Sequence, residues 1–430
     1  MNRLATIIIA LFFLNQCSFN ENSRIWKEKE IENNKNIKKI FLVEKKITAE
    51  FNQELKLDLS KIRTNNKIID NQNNYGSQEY NGSINKIGKY KFSKLDNINQ
   101  LNYKPLFLND GLIFFDNKGS IIRYDNNQKV LWKINHYSKS EKKLKPRLNF
   151  VLEEENLLVT DSIAKYYSVN INTGEVNWSK NNTYPFNSEI KKNKKRIFVV
   201  DYKNILRCYN INDGSECWNL PTEDSFTRSN SNFSLIIVNN MIIFSNSLGD
   251  ITGVDIESGL IAWQLPTQSS SIINETYNFK ISKLVSDGES IFFSNNKNEF
   301  YSIDLKTGTM NWINEINSNL TPITIGDLIF TVSNEGFLYV VEKNKGNIIR
   351  VNDLYINYKT KKRKVIKPIG FAIGDTKLYL TNTDGKMIIV DLSHGNIIGS
   401  EKVSGNFASQ PFIFNQNLFI IRNGSIVQYN

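Results

Sequence analysis

Histidine and cysteine are scarce in this 430-residue chain: two of the first, three of the second, and no two cysteines adjacent. With only His136 and His394, a histidine-based metal site or a Ser-His-Asp arrangement is not expected. Phosphate-cradling loops and nucleophile-elbow motifs are missing as well. Carboxylate runs such as Glu153-Glu154-Glu155 read as a solvated loop. Beyond the first residues no apolar run is long enough to cross a bilayer as a helix. Acidic residues are outnumbered, 43 against 54 Lys+Arg, for a net charge of +11. The lysines are dispersed and lack an aromatic-interleaved basic motif, so no nucleic-acid partner is expected. Catalytic, metal-ligating and cofactor-binding residues are thus all expected to be absent.

What is present is a β-rich composition, 12% aromatic with only 8 prolines, organised by a repeat. Asp304-Leu305-Lys306-Thr307-Gly308-Thr309-Met310-Asn311-Trp312 has the frame Asp/Asn, two residues, Thr/Ser/Asp, Gly, three residues, Trp. The same frame recurs as Asn170 to Trp178, Asn210 to Trp218 and Asp255 to Trp263. Each copy follows an alternating β-branched and aromatic run, which reads as a hairpin. Gly174, Gly214, Gly259 and Gly308 supply the positive φ of the turn, and the Asp/Asn and Thr/Ser side chains bond its backbone. Trp178, Trp218, Trp263 and Trp312 then lie on the returning strand, where a large flat ring fills the gap to the next sheet. Weaker copies occur at Glu342 to Arg350 and Asp391 to Gly399, and a shortened one at Asp125 to Trp132. An all-β period of roughly 40–50 residues with a tryptophan on the last strand indicates propeller blades.

Seven blades are expected at 105–135, 147–181, 190–222, 233–267, 281–316, 321–354 and 367–403. The remaining piece, 410–430, holds three strands and needs a fourth. Lys89 to Lys94, with Tyr90 or Phe92 in place of the tryptophan, is the natural donor, since an open strand edge invites aggregation. The expected fold is therefore an all-β, eight-bladed propeller of four-stranded antiparallel blades, residues 86–430, closed by pairing its N- and C-terminal strands.

Ahead of the ring, residues 1–17 read as a targeting segment: Arg3, an apolar run from Leu4 to Leu14, then Cys17. Leu14 stands three positions before Cys17, as in a bacterial lipoprotein signal, whereas Gln16 departs from the usual small residue. Acylation of Cys17 would anchor the chain to a membrane surface; an ordinary secretory peptide is the alternative. Residues 18–85 are Asn/Lys/Glu-rich and read as a polar tether, with short strands at Phe41-Leu42-Val43 and Leu55 to Leu59. Cys208 and Cys217 flank the turn of the third blade on strands that pair. They form either a cross-strand disulfide or two free thiols beside Trp218.

The repeat, behind a lipoprotein-like signal, resembles the pyrroloquinoline-quinone-like propeller repeat. The whole chain is similar to BamB-type lipoproteins of the outer-membrane β-barrel assembly machinery. That resemblance implies a non-enzymatic scaffold on the periplasmic face of the outer membrane, without a cofactor, binding the periplasmic domains of the barrel-forming subunit. The family's Leu-x-Leu-Arg contact falls on Ser225-Phe226-Thr227-Arg228, which assigns partner binding to Phe226, Thr227 and Arg228. A second family element, a pair of acidic residues, falls on Asn278 and Lys280, neither of them acidic. The same repeat also builds quinoprotein dehydrogenases, which carry adjacent cysteines, a bound Ca²⁺ and an Asp base. A cell-envelope carbohydrate-binding propeller is the other alternative, because fold does not fix function.

Overall fold

Strands of alternating or continuous apolar character, separated by Asn-, Asp- and Gly-bearing turns, pair here with their sequence neighbours into eight sheets. The computed structural model describes residues 50–59, 70–94, 101–224, 232–267, 279–405 and 407–430. Seven blades contain four consecutive antiparallel strands, from Leu106–Leu108 to Val130–Ile134 in blade one through Pro368–Gly374 to Asn396–Lys402 in blade seven, whose sheet has a fifth, parallel strand, Ser77–Gln78. The eighth joins Phe412–Phe414, Asn417–Arg422 and Ser425–Tyr429 to Lys86–Lys91. Lys91 pairs with Ser425 and Lys86 with Tyr429, so the ring closes with the two ends of the domain in one sheet. All eight blades fall where the repeat puts them.

The turns form for the reason the frame suggests. At Asp304 the carboxylate accepts hydrogen bonds from the backbone of Lys306 (3.0 Å) and Thr307 (2.8 Å) and from the Thr307 hydroxyl (2.8 Å). Gly308 follows at φ +69°, and its N–H returns to the Asp304 carbonyl. A bulge then shifts the register, and the residue just after it is the tryptophan.

Each indole crosses to the next blade and lies on that blade's turn glycine. A Cβ on Gly214 would stand 2.5 Å from the Trp178 ring, and one on Gly308 2.5 Å from Trp263. The Nε1 donors of Trp132, Trp178, Trp263 and Trp312 reach the carbonyls of Ile171, Ile211, Leu305 and Lys343 at 2.8 to 3.1 Å. Trp218 also lies on its glycine, Gly259, but its Nε1 has no partner among the described residues, and the corresponding carbonyl, that of Ile256, accepts from Arg196 (3.3 Å). Ring and glycine, with the carbonyl in all but the Trp218 joint, fix each of blades one to five against the next.

The tryptophan series stops after blade five. In blade six the position after the bulge is Arg350, fully buried, donating to the carbonyls of Leu392 (2.6 Å), Ser393 (2.9 Å) and Leu55 (3.1 Å). Burial brings its pKa down to about 10. In blades seven and eight the position is Gly399 and Gly88. Tyr90 and Phe92 therefore do not stand where a tryptophan would. They pack on blade one further along the strand, Tyr90 edge-on to Tyr124 and Phe92 against Phe114.

At these joints the chain uses residues that the sequence reading gave to the tether. Phe51 bridges Val351, Leu57 is buried with Leu354 and Leu392, and Leu55 to Leu59 forms no paired strand. Ser77–Gln78 pairs in parallel with the first strand of blade seven. Tyr80, 2% exposed, fills the joint between blades seven and eight against Tyr379 and Tyr429. Residues 50–59 and 70–85 thus form a brace seated on the ring, and the propeller body reaches back to Glu50 rather than starting at 86. At the joints from blade six to seven and from seven to eight, where the indole is missing, the brace adds the buried side chains Leu57 and Tyr80.

Candidate functional site

The first strand of each of blades one to six is innermost, as is Phe412–Phe414 in blade eight, while Ser77–Gln78 lies inside Pro368–Gly374 in blade seven; these strands surround an axial channel. Tyr103 to Leu108, Asn149 to Leu152, Glu189 to Lys192, Phe233, Lys283 and Ile413 to Gln416 line a cavity of about 940 Å³ there. The brace enters the same space. Asn71 donates to the Lys192 carbonyl (3.0 Å), Asn73 to that of Leu284 (3.1 Å), and Thr324 to the Asn74 side chain (2.9 Å). The low-complexity look of Asp70-Asn71-Gln72-Asn73-Asn74 hid this role. Short amide side chains suit a position where each must meet an unpaired inner-strand carbonyl or hydroxyl.

Charges in the channel are paired through the brace. Lys104 contacts Asp70 at 2.5 Å and the Tyr75 hydroxyl at 3.1 Å. Lys191 bonds the Asn73 side chain (2.7 Å), the Asp70 carbonyl and Glu189 (3.1 Å), and Lys283 also holds Glu189. Burial alone would raise the Glu189 carboxyl; Lys283 and Lys191 outweigh it and hold the pKa at about 2. A depressed carboxyl stabilises the fold fully above its ordinary value near 4.5, and that share disappears as pH falls toward 2. Glu189→Gln is expected to cost about 1–3 kcal/mol at neutral pH by leaving the two ammonium groups without their anion. The gap to the unsubstituted protein should close below pH 4.5, as chemical denaturation at several pH values would reveal.

The two cysteines are unbonded, Cys208 buried and Cys217 exposed. Cys208 pairs with Trp218 across the strands, and the bulge offsets Cys217 from it. Burial pushes the Cys208 thiol up, and the adjacent Cys217 sulfur adds to the shift. Iodoacetamide is expected to label Cys217 in the native protein and Cys208 only after unfolding. Protection of both until a reductant is added would establish a disulfide instead.

Antiparallel alternation puts the Gly-bearing hairpins on one face of the ring and the blade-to-blade connectors on the other. Phe226, Thr227 and Arg228 belong to the connector from blade three to four but lie outside the described residues, as do Cys17 and Asn278. The near end of that connector is fixed: Lys203 pairs with Asp224 (2.9 Å) and Asn204 donates to the Glu223 carbonyl (2.7 Å). Lys280 lies in the next connector, its N–H bonded to Asn296. His394 is an exposed turn residue bonded to Asp391 at 2.6 Å. Among the described residues no three His, Cys, Asp or Glu side chains are grouped to hold a metal ion.

A sequence model of the family described as outer membrane protein assembly factor BamB matches residues 117–352, more than half of the chain. This chain belongs to the BamB family. A search of curated proteins gave no match. Among solved structures, BamB from Moraxella catarrhalis superposes with a TM-score of 0.63 at 15% identity, covering 81% of this chain and 99% of that one. A europium-containing methanol dehydrogenase gives 0.62 at 10% identity, covering 80% and 86%. Quinohemoprotein alcohol dehydrogenase ADHIIG from Pseudomonas putida HK5 gives 0.59 at 10%, covering 81% and 76%. At such identities the superpositions establish the shared propeller alone. Membership in the BamB family rests on the sequence match, which runs from the blade-one turn to the outer strand of blade six.

Proposed function

We propose that this BamB-family propeller is a non-enzymatic scaffold of the outer-membrane β-barrel assembly machinery. In this reading acylated Cys17 holds it on the periplasmic face of the outer membrane. Connectors including Phe226, Thr227 and Arg228 grip the periplasmic domains of the barrel-forming subunit. The observation that carries the reading is the occupant of the axis: the chain's own residues 70–78 are bonded into the channel from several blades. A ring braced in this way offers its rim, where short connectors on a rigid body form a broad recognition surface. An arginine with an aromatic neighbour is a frequent anchor in such surfaces.

Arg228→Glu is expected to weaken capture of the purified periplasmic domains of the barrel-forming subunit by at least about tenfold, a typical anchor effect. Undiminished capture would remove the contact. Cys17→Ala is expected to release the protein from the membrane fraction. A quinone found by mass spectrometry in purified protein would favour the dehydrogenase reading that the structural neighbours keep in view.

A further inference from the structure

Four of the large apolar side chains left exposed lie in connectors on one face of the ring. Leu144 (65% exposed) is in the connector from blade one to two, Ile356 (59%) and Val365 (73%) in that from six to seven, and Phe407 (46%) in that from seven to eight. Two of these connectors contain a short helix, α1 (Lys139–Lys143) and α2 (Thr360–Arg363), and both are rich in lysine. Both helices are held in place. A capping box closes the start of α1, with the Ser138 N–H donating to the Glu141 carboxylate (2.7 Å) and the Glu141 N–H to the Ser138 hydroxyl (3.3 Å), and Glu141 pairs with Lys165 of blade two (3.7 Å). Arg363 binds Asp353 (2.8 Å) and Lys362 binds Asp384 (3.1 Å), which anchors α2. Those pairings occupy the neighbouring carboxylates. Lys139, Lys143, Lys359, Lys361 and Lys364 remain exposed and have no acidic partner among the described residues.

We propose that this arc of the connector face docks on an anionic phospholipid surface. Lysines around single aliphatic or aromatic side chains on separate loop tips suit the headgroup layer of such a bilayer, where each apolar tip enters and each ammonium meets phosphate. A protein partner fits less well. Protein interfaces favour arginine and clustered aromatics and are depleted in lysine, and here the four apolar side chains are spread over three connectors and include one aromatic. The proposal is independent of the scaffold reading, since it involves neither Arg228 nor acylation.

The test uses the full chain with Cys17→Ala, so that no acyl group contributes; the N-terminal apolar run is then common to all variants and all vesicles. Co-sedimentation is measured with phosphatidylcholine vesicles, with and without phosphatidylglycerol. Binding is expected to require phosphatidylglycerol and to weaken with added salt. Lys139→Glu, Lys143→Glu, Lys361→Glu and Lys364→Glu combined should reduce it at least about tenfold. Leu144→Ser with Val365→Ser and Phe407→Ser should also reduce it. All these positions are exposed, so an unchanged melting temperature verifies the ring. Equal binding to both kinds of vesicle, or charge-reversed protein that binds as before, would overturn the proposal. So would capture of an acidic protein through the same lysines with no vesicle binding.

Discussion

A chain that begins at Ser93 is expected to lose cooperative unfolding and to elute as soluble aggregate, whereas one that begins at Glu50 should melt like the whole chain. The shorter version lacks the outer strand of blade eight, Lys86–Lys91, and leaves the Ser425–Tyr429 edge open. Ile426 and Val427, now fully buried, would flank that edge, the arrangement most prone to strand pairing between molecules. It also lacks the brace, so Arg350 loses one of its three carbonyls and the joint between blades seven and eight loses Tyr80. Losses at three consecutive joints fall in one arc, where no tryptophan remains to hold the sector. Gel filtration and a circular-dichroism melt decide the matter: a sharp transition from a monomeric fragment would refute the role given to the brace and the closing strand.

Trp263→Ala is expected to lower stability by about 3–5 kcal/mol, the usual cost of removing a buried large aromatic. The indole is 8% exposed, bonded to the Leu305 carbonyl at 3.1 Å, and covers Gly308. Gly308→Ala should cost a comparable amount from the other side. A side chain at φ +69° is strained by about 1–2 kcal/mol, and its methyl would press into the ring with an overpacking cost of about 1–3 kcal/mol. The two changes are coupled, because the cavity left by the first accommodates the methyl of the second. The double variant is therefore expected to lose less than the sum of the single losses. Strict additivity in urea denaturation would show that indole and glycine do not form one joint.

The sequence exposes the ring clearly and the brace hardly at all, and the reason is physical. Gly174, Gly214, Gly259 and Gly308 each need a positive φ and each face an indole, so two constraints mark the same residue and repeat with every blade. The segment Lys89 to Lys94 was recognisable as the missing strand because three strands without a fourth leave an edge, although the strand itself begins and ends three residues earlier, at Lys86–Lys91. Arg350 fills the tryptophan position with unrelated chemistry, so only its register identifies it. Leu57 and Tyr80 are single apolar residues in polar surroundings, and Asn71, Asn73 and Asn74 act through amide bonds to a channel that exists only after the ring has formed. No local pattern encodes contacts of that kind. The Cys208–Cys217 pair illustrates a smaller limit: the strands pair as expected and the two sulfurs are neighbours, yet the thiols are unbonded, an outcome that residue spacing alone left open.

Closure by the outer strand of blade eight also sets an order of events. Tyr90 and Gln428 bond to each other across 338 positions of the 430-residue chain, and the brace has partners almost as remote. Loops this long close slowly. The first residues made must therefore wait, unpaired, for the last ones, and the ribosome cannot release a half-finished domain that is already sealed. Sealing of the ring is therefore expected to be a late step, after blades built from sequence-adjacent strands have formed.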